Sequence, residues 1–189
     1  MKRFVCLLAA LLMLLPVFAQ KRYELKSGIL QLISYADGQE TQETQYFDNY
    51  GASEALTYIL QMPGLWTNRL WIITQGDRGW MVTTQLGAKS KVKEMDNPTA
   101  DLTFISPSPG IVEKYNIKEL RQEEFLGRPC TVFNYDLTQN RTRYTVTAWV
   151  YKGLVLKQDY TFKKHHITLV TTELQENAPV PAEIFNPEK

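Results

Sequence analysis

From residue 128 to residue 174 the chain alternates apolar and polar side chains at period two, and the alternation breaks at Thr138-Gln139-Asn140, Lys152-Gly153 and Lys163-Lys164. A helix repeats every 3.6 residues and a strand every two, so this stretch predicts four consecutive antiparallel strands, at 128–137, 141–152, 154–164 and 165–174. Within 143–151 one face would carry Tyr144, Val146, Ala148 and Val150, and the other Thr145, Thr147, Trp149 and Tyr151. Neither face is charged. A sheet with core on one side and water on the other divides its polar and apolar residues more cleanly, so something is expected to cover both sides.

The N-terminal half carries the same signal in hairpins. Segments 23–35 and 40–50 flank Ala36-Asp37-Gly38-Gln39, whose Asp-Gly supplies the backbone freedom of a tight turn. Segment 53–62 allows a short helix or a strand, with Thr57, Tyr58 and Ile59 favouring the strand and Pro63-Gly64 ending either, and 69–74 and 79–84 read as a hairpin around Gln75-Gly76-Asp77-Arg78. The proline-containing stretch 97–110 reads as an irregular connection. Residues 111–120 are the best helix candidate, with Ile111, Tyr115, Ile117 and Leu120 toward one side. After Asn177 the tail is proline-rich and extended, with Ile184 and Phe185 as its docking residues. Long strands and few helices give the expected fold class: mainly β (α+β), a curled antiparallel sheet forming an open or half barrel with one or two short helices.

The first twenty residues, MKRFVCLLAALLMLLPVFAQ, have a short cationic start, an apolar run of about a dozen residues and a small-residue exit at Val17-Phe18-Ala19. They read as a secretory signal peptide cleaved after Ala19, because the apolar run is short of the roughly 20 residues of a permanent span. The expected organisation is therefore a signal peptide at 1–19 and a single β domain at 20–189, periplasmic or secreted. The exported part holds 19 Lys and Arg against 20 Asp and Glu, a balance that argues against a nucleic-acid partner. It keeps one cysteine, Cys130, so no internal disulfide forms, and a strand position makes this thiol a small buried hydrophobe.

Catalytic chemistry finds little support. His165 and His166 are the only histidines and, adjacent in a strand, point to opposite faces. No H-x-x-x-H, G-x-S-x-G or phosphate-binding glycine loop occurs. The expectation is a protein without enzymatic activity, metal or cofactor. Aromatic residues are instead abundant: all four Trp, all ten Tyr and six of the eight Phe follow the signal segment. Trp66, Trp71 and Trp80 fall in or beside hairpins, and with Phe104 and Trp149 they are the candidate lining of an apolar cavity.

Four segments carry a resemblance: YFDNYG (46–51), FLGRPCTVFNY (125–135), AWVYKGLVLK (148–157) and PVPAEIFNP (179–187). Taken in order with the leader, they resemble exported proteins of the lipoprotein carrier-like superfamily, in an uncharacterised branch. That resemblance implies an unclosed antiparallel barrel capped by short helices, with an apolar interior, in which Gly127, Cys130, Trp149, Lys152 and Gly153 hold the sheet. It brings no counterpart of the carrier's partner-docking residues. The expected function is an exported binding protein that carries or sequesters a lipid, a lipid-linked group or another apolar ligand in its cavity. The alternative is an envelope structural or interaction protein, with a fully packed sheet and a protein partner but no ligand. Lys163 and Lys164 form a basic corner that reads first as solvated surface and second as a contact for anionic lipid heads.

Overall fold

A computed structural model describes residues 21–36, 38–62, 66–85, 90–139, 142–162 and 165–188. Eleven antiparallel strands form one sheet: β1 (Gly28–Ala36), β2 (Gln39–Asp48), β3 (Ser53–Met62), β4 (Trp66–Gln75), β5 (Arg78–Gln85), β6 (Lys91–Asp96), β7 (Lys118–Phe125), β8 (Arg128–Gln139), β9 (Thr142–Tyr151), β10 (Leu154–Phe162) and β11 (His165–Glu176). Their order is β6-β5-β4-β3-β2-β1-β11-β10-β9-β8-β7. Two five- or six-strand meanders are thus joined where β1 pairs with β11, and the edges β6 and β7 remain unpaired with each other. The sheet is open.

Two strands lie outside the sequence expectation. Both are edges: β6 reads KVKEMD and β7 reads KELRQEEF, and each is mostly exposed. An edge strand needs no apolar face and is protected by charge, so neither shows the period-two signal of its neighbours. The helix expected at 111–120 is shorter and earlier, α1 (Pro109–Tyr115), capped by Ser108 and stopped by Asn116 in the left-handed conformation. The residues beyond it turn into β7. Segment 23–27, expected as the start of the first strand, is instead pinned at the sheet end: Tyr23 N–H donates to Tyr50 O at 3.1 Å and Glu24 N–H to Lys152 O at 3.0 Å. The remaining strands agree with the expected ones to within a few residues.

Register defines the two faces. Lys157 pairs with both Trp149 and Val170, and Val170 with Ile33, so one continuous face carries Trp149, Ile33, Tyr46, Ala55, Ile73 and Trp80. The other carries Tyr135, Val146, Tyr160, Leu32, Glu43, Tyr58 and Leu70. The second face is the concave one. Residues 97–117 leave edge β6 and reach edge β7 across it, burying Leu102, Tyr115 and Ile117 against Tyr135, Val146, Ala148 and Val150. From the same side Arg22 Nε donates to Leu102 O at 3.3 Å. Glu43 on β2 and Tyr160 on β10 share this face from the two halves of the sheet, three strand spacings apart.

The outer face of the N-terminal half is covered by the C-terminal tail. A 3-10 turn at Ala182–Phe185 places Phe185, 7% exposed, on Ala55, Ile73 and Val82, with Trp71, Trp80 and Ile184 around it. This is the docking expected of Ile184 and Phe185. At the end of the sheet where the tail, residues 21–27 and the 97–103 segment meet, Tyr23, Leu25, Leu30, Phe47, Leu154 and Leu156 form a second core. Gly153 makes the close approach there possible: at φ +81° a Cβ would stand 2.4 Å from the Arg22 carbonyl oxygen and 2.7 Å from Ile105.

Candidate functional site

Strand alternation places Leu56, Tyr58, Leu70, Ile72 and Met81 on the concave face of β3, β4 and β5, and all five are half-buried. β-branched and aromatic residues favour the strand in β4 and β5, and the fixed period then commits every second side chain to the inside. The 97–117 segment covers the C-terminal half of the concave face with Leu102, Phe104, Ile111 and Val112. The apolar wall of the N-terminal half is the part it leaves accessible.

Polar groups interrupt the wall at two depths. At the end occupied by the N-terminal segment, Arg22 Nη1 lies 2.5 Å from Glu54 Oε1, to which the Tyr23 hydroxyl also donates at 2.9 Å, while Gln45 Nε2 donates to Glu54 Oε2 at 3.3 Å. Burial works against the Arg22 charge, but the Glu54 carboxylate outweighs it and the guanidinium pKa is raised. A cleft of about 200 Å³ opens beside this network, between Arg22, Gly51, Thr74, Asn97, Asp101 and Thr103. It is smaller than the roughly 300–1,000 Å³ typical of ligand pockets, too small to take a long acyl chain.

Deeper along the wall, Glu43 stands directly opposite Tyr58 on β3 and Leu32 on β1. Burial pushes its carboxyl upward from the usual carboxylate range, and a hydrogen bond with Ser34 partly opposes the shift. The Tyr58 phenol is raised by burial and by Glu43. The Tyr160 phenol is pushed up to about 12, again by burial first and Glu43 second.

The five aromatic residues singled out in the sequence do not share one surface. Phe104 stands on the concave side, its ring 5.0 Å from Phe133 and 5.3 Å from Tyr135, where it fills space. Trp71 and Trp80 lie on the convex side against the tail. Trp149, 8% exposed, is also convex: its indole N–H donates to Glu123 Oε2, and Lys157 Nζ stands 4.0 Å above its ring. Trp66 opens β4, and its side chain lies outside the described residues, as do the basic corner Lys163-Lys164 and the leader at 1–19. Sequence reasoning missed the aliphatic wall and Glu43. Alternation alone yields two faces and does not say which curls inward; the covering segment decides it.

His166 is exposed, and among the described residues no group of His, Cys, Asp or Glu could hold a metal ion. Cys130 is buried completely, and burial raises its thiol pKa. Among the described residues no helix is long and apolar enough to cross a membrane.

No protein-family model matches the sequence, and no curated protein matches it. Solved structures do share the fold. The MucA/MucB complex of Pseudomonas aeruginosa superposes with a TM-score of 0.53 at 15% identity over 89% of this chain and 57% of that one. An uncharacterised conserved protein of Thermus thermophilus gives 0.53 at 7% identity over 85% of each chain. Lipoprotein LppX of Mycobacterium tuberculosis is matched over 84% of this chain and 90% of that one, at 10% identity and a TM-score of 0.42. The chain spans little more than half of the matched MucA/MucB chain. The two likenesses at a TM-score of 0.53 show that this chain shares its fold with those proteins, and the open antiparallel sheet agrees with the unclosed barrel that the sequence resemblance implies.

Proposed function

We propose that this protein binds a lipid or another amphiphile outside the cytoplasm, holding the apolar chain along the concave wall of β3, β4 and β5. The observation that supports the reading most is that wall itself: Leu56, Tyr58, Leu70, Ile72 and Met81 face inward, half-buried, beside a covering segment whose apolar residues are spent on the opposite half. Each methylene moved from water onto such a surface contributes about 0.8 kcal/mol, so a long chain needs only partial burial to bind. The leader expected at 1–19 supports export.

The test is uptake of a neutral apolar dye, Nile red, by delipidated protein, alongside native mass spectrometry of the protein as purified. A co-purifying amphiphile and saturable dye binding are expected. Leu70→Glu, which places a charge on the wall, should weaken dye binding by about tenfold or more. Its neighbour Arg69, on the convex face, serves as control, and Arg69→Glu should change binding little. Absence of dye uptake by the unmodified protein would end the reading.

A protein partner is the second reading, supported by the fold shared with a chain solved in the MucA/MucB complex. Under it the same wall would be closed by a segment of another envelope protein, and Leu70→Glu would abolish that association without affecting any small amphiphile.

A further inference from the structure

The concave face of the N-terminal half carries two carboxylates, and only one has a cation. Glu54 is held by Arg22. Glu43 faces Tyr58 and Leu32 across the strands, and among the described residues no basic side chain is within ion-pair distance of it. Lys91 and Lys93 share the concave register but stand exposed on edge strand β6, four strands away. A carboxylate set into an apolar wall is costly unless a positive charge meets it, and the Ser34 hydroxyl offsets only part of that cost. A second phenol, Tyr160, faces the same concave side from the opposite half, with Tyr144 edge-on to it at 6.4 Å between ring centroids. Glu43, Tyr58, Tyr144 and Tyr160 are half-buried, so a bound molecule could touch them.

One carboxylate flanked by tyrosine rings is the chemistry that recognises an organic ammonium: the charge pairs with the carboxylate and the ring faces attract the cation. Resting on the amphiphile-binding reading above, we propose that Glu43, with Tyr58 and Tyr160, is the head-group subsite of the concave wall, and that the ligand is an amphiphile with a cationic ammonium head. A carboxylate or phosphate head at that depth would meet Glu43 as a like charge, so anionic lipids are selected against.

The experiment is displacement of Nile red from the delipidated protein at pH 7.5 by three single-chain probes of equal length: dodecyltrimethylammonium, dodecanol and dodecanoate. Below their micellar concentrations, the ammonium probe should compete at least about tenfold better than the alcohol, with the carboxylate weakest. Glu43→Gln should bring ammonium and alcohol to within about twofold of each other while leaving the alcohol unchanged. Equal competition by ammonium and alcohol on the unmodified protein, or an ammonium preference that survives Glu43→Gln, overturns the assignment while leaving amphiphile binding intact. Failure of all three to displace the dye, or failure of the dye to bind, removes the underlying reading and the subsite with it.

Discussion

Arg22 Nη1 rests 2.5 Å from Glu54 Oε1, with both side chains at least four-fifths buried, and so joins the N-terminal segment to β3 on the concave side. The same guanidinium holds the covering segment through Leu102 O, and the same carboxylate accepts the Tyr23 hydroxyl. Glu54→Ala therefore leaves a buried cation and a buried phenol without their acceptor. A loss of about 2–4 kcal/mol in urea unfolding is expected. Removing Glu94, whose pairing with Arg78 is well exposed on both sides, should cost no more than about 1 kcal/mol. Similar losses for the two would show that the Arg22 network is not a structural anchor.

Gly153 and Gly127 both hold positive φ, but a Cβ at Gly127 meets nothing within 4 Å, whereas one at Gly153 strikes the Arg22 carbonyl. Gly127→Ala carries only the conformational penalty, about 1–2 kcal/mol. Gly153→Ala adds a backbone collision that no side-chain rotation relieves, for a total of at least about 3 kcal/mol. Thermal unfolding of the pair reads the difference directly.

Phe185 anchors the tail over Trp71 and Trp80. Truncation to alanine removes most of that contact, worth about 3 kcal/mol for a buried phenylalanine. Because the tail is a single turn at the chain end, the expected result is local: the tail becomes protease-sensitive and tryptophan emission shifts to the red while the sheet stays folded. Simultaneous loss of the sheet signal would contradict an independently docked tail.

Glu43 has a raised carboxyl pKa in the folded protein, with burial as the main cause. A raised acid is stabilising in its protonated state, so its contribution is complete below the unfolded value near 4.5 and is lost as pH rises through the folded value. Asp136 runs the other way: the Arg143 hydrogen bond holds it low, and its contribution disappears as pH falls. Glu43→Gln should therefore stabilise the ligand-free protein at pH 7, with the gain fading toward pH 4. A gain that is constant across that range would point to packing instead of charge.

Much of the sheet was legible because nine of its strands carry side chains committed to a buried face, and burial imposes alternation. Strands β6 and β7 escaped because their flanks are solvent, where charge is selected and periodicity is not. Helix α1 was mis-bounded for a related reason. Ile117 is buried in the same cluster as Tyr115, so the apolar spacing continues across a break that Asn116 makes by turning left-handed. The aromatic residues misled differently: Trp71, Trp80 and Trp149 are where the convex face is deepest in cover, beneath the tail or beneath Lys157 and Glu123, and size alone does not tell cover from cavity.

An unclosed sheet ends in two rows of free backbone donors and acceptors, and identical molecules could in principle add to one another there without end. On β6 the row is guarded by Lys91, Lys93, Glu94 and Asp96, and on β7 by Lys118, Glu119, Arg121, Glu123 and Glu124. Stacking one copy on the next would strip water from these charges along its whole seam, which opposes fibre growth. Both edges can thus stay unpaired at high protein concentration, without the protein polymerising through them.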